Sequence, residues 1–170
     1  MDREVDLPEV DASVTVPKIG DKKKLLEMSQ KNARYMLLQR NIECFDNSNI
    51  QGTNPTASCV VFKNAKPSKK DYRHFNIKTV EGPDDFASMK EVVHRRYRRL
   101  LQEGESLPQL VIIDGGKGQL SHAMESMRVL GIEDRITVIG IAKRLEEIYF
   151  ADDPVPLHIN KKSETLKVIQ

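Results

Sequence analysis

Apolar side chains recur along this chain in two rhythms. Runs rich in β-branched and aromatic residues at 42–46, 57–63, 72–80, 110–114 and 136–142 have the length and composition of strands, and turn residues such as Asn64, Pro67, Pro83, Pro108 and Gly115 punctuate them. Between them the spacing becomes helical. Leu25, Met28, Ala33, Met36 and Leu37 form one stripe, Phe86, Met89, Val93, Tyr97 and Leu100 a second, and residues 119–129 a third that Gly131 stops. Pro83-Asp84-Asp85 opens the second helix well, with Pro in the first turn and acids at the positive end of the dipole.

The connections decide how the strands pair. The first three runs are joined by a few residues each, which only antiparallel neighbours permit, whereas the fourth and fifth flank a helix and read as a parallel βαβ unit. The pattern predicts an α/β fold: a mixed five-stranded sheet in the order 3-2-1-4-5, flanked by helices. Residues 1–13, with Pro8 and five acids, are expected to be a linker, and residues 14–170 one domain that begins with a short edge strand. Ser163 can cap a helix over 164–170, but about two turns do not form a stable helix alone, so the chain reads as part of a longer polypeptide.

Composition narrows the class. With 170 residues, 39% of them hydrophobic, the chain can build one core. Its 27 basic and 25 acidic side chains leave a net charge of +2, so overall charge does not announce a polyanion partner, but basic residues concentrate between Lys63 and Arg99. Cys44 and Cys59 lack metal-ligand spacing. With neither a leader nor a long apolar run, they read as reduced core thiols in a cytoplasmic protein without a membrane span. The absence of Trp argues against a base-stacking platform and for recognition of a nucleic-acid backbone.

Two aspartates carry the candidate chemistry. Asp46 and Asp114 each end a strand run and lead into a polar loop, and the sheet order 3-2-1-4-5 sets their strands side by side with both carboxylates at one edge. Such a pair suits a hard divalent cation, Mg²⁺ or Mn²⁺. Taken singly, each acid is better explained as a turn or capping residue than as a ligand, and the pair is stronger evidence than its members. The Gly115-Gly116-Lys117-Gly118 loop could meet a phosphate through its amides and Lys117, although it lacks the Walker spacing and is also a plain strand-to-helix turn. Ala142-Lys143-Arg144 ends the last strand at the same edge. Arg95, Arg98 and Arg99 share one side of their helix and could track DNA, or could be a solvated face. His74, His94, His122 and His158 are scattered without metal spacing or a nucleophile motif.

Five motifs in order, Gly20-Asp21-Lys22-Lys23-Lys24-Leu25-Leu26, Phe45-Asp46-Asn47-Ser48-Asn49-Ile50-Gln51-Gly52, Tyr97-Arg98-Arg99-Leu100-Leu101, Ile113-Asp114-Gly115-Gly116-Lys117-Gly118-Gln119-Leu120 and Ile141-Ala142-Lys143-Arg144-Leu145-Glu146-Glu147, resemble the C-terminal endonuclease region of UvrC, the incision subunit of bacterial nucleotide excision repair. The resemblance implies a ribonuclease H-like fold and a metal-dependent cut on the 5′ side of a lesion in damaged double-stranded DNA. It makes Asp46 and Asp114 catalytic metal ligands, Lys117, Lys143, Arg144 and the stretch around Arg98 and Arg99 phosphate contacts, and UvrB and the UvrA-UvrB-DNA complex partners of the full-length protein. The family's third catalytic group, a histidine, is expected just past residue 170, and none of the four histidines here takes its place. Poor cutting by the 170-residue chain alone is therefore expected. The alternative is a non-catalytic DNA-binding or scaffold domain of the same fold, in which the acids only cap loops.

Overall fold

In a computed structural model of the chain, residues 41–48, 55–64, 66–80, 84–142, 147–151 and 153–158 are described. The 1–13 linker, the edge strand and helix expected before residue 40, Lys143, Arg144 and the tail over 164–170 lie outside them.

The elements run β1 (Asn41–Ser48), β2 (Thr56–Lys63), β3 (Lys66–Pro67), β4 (Arg73–Asn76), α1 (Asp85–Glu103), β5 (Leu110–Asp114), α2 (Lys117–Val129), β6 (Thr137–Ala142), β7 (Glu147–Phe150) and β8 (Leu157–His158). They form one mixed sheet in the order β3-β2-β1-β5-β6-β7-β8, with β4 also paired to β2. β2 is antiparallel to β1 and β4, whereas β5 is parallel to both β1 and β6. The expected order 3-2-1-4-5 is therefore present as β4-β2-β1-β5-β6.

Three strands extend it. The two-residue β3 turns back from β2 through Asn64, whose φ of 52° is the left-handed conformation Asn tolerates. β7 and β8 continue the sheet antiparallel past β6. The third run is shorter than expected, because beyond Asn76 the chain leaves the ladder. The Glu91 carboxylate there takes the amides of Lys78 and Thr79 and the Thr79 hydroxyl, replacing strand partners.

α1 begins at Asp84, whose carboxylate accepts from the amides of Phe86 and Ala87 at 3.0 and 2.9 Å. It ends at Gly104, whose φ of 67° is one that glycine adopts without strain. Both helices pack on one face of the sheet. There Phe45, Ala57, Cys59, Val61, Val111 and Ile113 meet Met89, Val92, Val93, Tyr97 and Leu100 of α1 and Leu120, Ala123, Met124 and Met127 of α2. Ser126 Oγ donates to the Lys90 carbonyl at 2.7 Å and joins the helices. Phe86 departs from the predicted buried stripe. It is 48% exposed and stacks on His122 at 5.2 Å, lying so close over Gly118 that a Cβ there would stand 2.6 Å from its ring. On the opposite face Leu110, Ile112, Ile139, Ile141 and Ile148 form a second cluster, joined by Ile42 and Cys44. No described helix is long and apolar enough to cross a membrane.

Candidate active site

Strand alternation sorts every residue of β1 and β5 onto one face or the other. Phe45 and Ile113 point toward the helices, so Cys44 and Ile112, and with them Asp46 and Asp114, belong to the opposite face. The parallel register pairs Cys44 with Ile112 and Phe45 with Ile113, so Asp46 and Asp114 are the next step along each strand. On neighbouring strands about 4.8 Å apart, the two carboxylates share one face at the sheet's carboxyl edge. Asp46 is exposed and Asp114 half-buried, above the apolar second cluster. Next to Asp46, Asn47 donates from its side-chain amide to the Asp85 carbonyl at 2.8 Å and ties the end of β1 to the start of α1.

After Asp114 the chain turns directly into α2. The Gly115 amide donates to the Ile141 carbonyl at 3.0 Å, holding the turn against β6, and Lys117 is the first helical residue, exposed. Lys117 therefore joins the acids at the carboxyl edge.

The arginines of α1 do not reach that face, because α1 packs against the other one. Arg95 donates to the Asn76 carbonyl and to Glu91, both at 2.8 Å, and lies 5.5 Å from the Phe75 ring centre. Arg99 bonds Glu103 of its own helix at 2.7 Å, and Arg98 is exposed.

A buried polar network went unread in the sequence. Glu43, fully buried on the helix face of β1, accepts from Arg96 at 2.6 and 3.2 Å and from the Tyr97 hydroxyl at 3.0 Å, with the Cys59 thiol 3.7 Å away. Burial first, and the Glu43 charge second, push the Tyr97 hydroxyl and the Cys59 thiol well above their usual values, so both stay protonated. Burial alone would lower the Arg96 pKa, but the hydrogen bond and charge of Glu43 outweigh it and raise it. A charged residue two places from Phe45, on its face, was the available signal.

Among the described residues no three His, Cys, Asp or Glu side chains cluster as a metal site. Two carboxylates with oxygen donors on one face fit a hard divalent cation as part of a ligand set, with other positions left to water, substrate or further groups.

The chain matches the UvrC RNAse H endonuclease domain family over residues 30–170. It is 56% identical to the UvrABC system protein C of Christiangramia forsetii across 98% of its length, and 54% identical to that of Porphyromonas gingivalis across 93%. It spans about a third of the length of these relatives, 33% and 32%. A crystal structure of Ciona intestinalis endonuclease V in complex with an inosine-containing DNA overlaps 71% of this chain and 58% of its own, at 14% identity and a TM-score of 0.45. Family match and sequence identity agree with the strand order: this chain belongs to the UvrC family, as its ribonuclease H-like endonuclease domain.

Proposed function

We propose that this chain is the domain that makes the 5′ incision in nucleotide excision repair, a metal-dependent DNA endonuclease of the cytoplasm in which Asp46 and Asp114 hold Mg²⁺ or Mn²⁺. The observation that carries the reading is the β1–β5 register, which sets both carboxylates side by side on one accessible face. A divalent ion held there would polarise the scissile phosphate and lower the pKa of the attacking water. The chain's own residues orient the substrate. Lys117 and the first amides of α2 offer donors to a phosphate oxygen at the same edge. Lys143 and Arg144 follow β6, whose Ile141 pairs with Asp114, and are assigned to the same strand of DNA by family resemblance. Arg95, Arg98 and Arg99 sit on the helix that covers the other face, so any DNA contact they make lies away from the acid pair.

Phosphate contacts position DNA without reading damage, so selection of the lesion falls to partners, UvrB and the UvrA-UvrB-DNA complex. Two carboxylates are an incomplete ligand and base set. The 170-residue chain alone is expected to bind metal weakly and to cut far more slowly than a full-length protein carrying this domain.

Titration calorimetry with Mn²⁺ tests the site without relying on turnover. The chain should bind the ion, and Asp46→Asn and Asp114→Asn should each weaken binding at least tenfold while the fold melts normally. Unchanged Mn²⁺ binding in both variants would overturn the shared site. Loss of stability before loss of metal would favour the scaffold alternative.

A further inference from the structure

The row that contains the two acids continues across the open half of the sheet. Asp46 pairs with Ser58 of β2, and Ser58 with His74 of β4, so His74, Ser58, Asp46 and Asp114 stand in one line over four strands. The neighbouring pair, Ala57 and Phe75, is buried against the helices, which puts Ser58 and His74 on the face of the acids. Two strand spacings separate His74 from Asp46, about 10 Å.

This half of the face differs from the half beyond Asp114. Leu110, Ile112, Ile139 and Ile141 are buried there, whereas His74 is exposed and Ser58 half-buried. Neither the His74 nor the Ser58 side chain has a hydrogen bond or ion pair among the described residues. The other described histidines are placed differently: His94 and His122 are on the helices, and His158 faces Glu147 at 3.7 Å.

We propose that His74, with the Ser58 hydroxyl beside it, binds a backbone phosphate of the DNA strand next to the one at the acid pair, fixing the direction in which the strand crosses the sheet. This rests on the endonuclease reading above. Two carboxylates repel a polyanion, so the strand is held by donors placed to either side of them. Lys117 supplies one beyond Asp114, and His74 lies on the side of Asp46. An imidazole keeps at least one N–H donor whether neutral or charged, and a hydroxyl adds another.

The test is anisotropy of a fluorescein-labelled 20-mer, as single strand and as duplex, with the 170-residue chain in Ca²⁺. His74→Ala should weaken binding about fivefold and His74→Glu more than tenfold, and His74→Arg should bind at least as tightly as the parent. Val129→Glu, on α2 at the other side of the sheet and 72% exposed, adds one negative charge, as His74→Glu does to a neutral imidazole, and should stay within twofold. If the three His74 variants bind within twofold of the parent while retaining its thermal melt, the phosphate contact is wrong and the acid-pair reading stands. If the His74→Glu and Val129→Glu losses are equal, the effect is net charge alone and the contact is likewise wrong. Failure of the parent itself to bind DNA would overturn both readings.

Discussion

Glu43 and Asp46 stand three residues apart on one strand, and alternation sends them to opposite faces. Glu43 is fully buried and spends its oxygens on Arg96 and Tyr97, clamping β1 to α1. Asp46 is exposed, beside Asp114 on the next strand. Two carboxylates on one element thus divide into a structural role and, in the proposed function, a chemical one. What separates them is what each carboxylate meets: the donors of α1 for Glu43, and an exposed position at the sheet's carboxyl edge for Asp46.

The largest test of that division is Asp46→Asn or Asp114→Asn in a full-length protein carrying this domain. Incision of a lesion-bearing duplex with Mg²⁺ should fall at least about a thousandfold, roughly 4 kcal/mol of barrier, while DNA affinity and the melting curve hold. Glu43→Ala should do the reverse. Stranding Arg96 in the core costs about 3–5 kcal/mol of stability by denaturant titration, and incision should suffer only as far as the protein unfolds. A fully folded Glu43→Ala protein that cannot cut would erase the distinction between the two faces.

Smaller effects sharpen it. Lys117→Ala should weaken DNA binding across all sequences alike and lower the salt slope by about 1, whereas Arg98→Ala on the helix face should leave both unchanged. Last comes a carboxylate at the sheet's rim. The Asp71 pKa is lowered from 3.8 to about 2 by hydrogen bonds from Lys63 and Ser68. A depressed folded value stabilises above pH 3.8 and is lost as pH falls toward 2. Asp71→Asn should therefore flatten the acid limb of stability in that window, by less than about 1 kcal/mol for so exposed a pair.

Much of the fold is legible in the sequence because connection lengths restrict pairing. A few residues between β1 and β2 force an antiparallel pair, and a helix between β5 and β6 gives a parallel one, whereas the β1–β5 seam that sets Asp46 next to Asp114 follows from the sheet order 3-2-1-4-5 and not from any connection length. The Asp84 cap and most of the α1 stripe are equally visible. β7 is less so, since Glu147-Ile148-Tyr149-Phe150 has only four residues and begins with the second of two adjacent acids. Glu43 and Arg96 are 53 residues apart, so their bond appears only once the sheet and helix are docked. Periodicity groups Arg95, Arg98 and Arg99 correctly, but it cannot say which side of the sheet their helix covers. Phe86 misleads for a related reason: at the first turn of α1 the stripe runs past the sheet, and the ring rests on Gly118 and His122 instead.

The parallel seam between β1 and β5 also governs when the two acids can meet. Asn41 and Gln109, 68 residues apart, bond across it, and the acids span the same interval. Such distant pairing is slow compared with hairpins and helix turns, since a long loop must close before any contact repays it. A chain still emerging from the ribosome, with residue 46 exposed and residue 114 not yet made, cannot set the two carboxylates side by side, so the proposed metal site arrives only with the completed sheet.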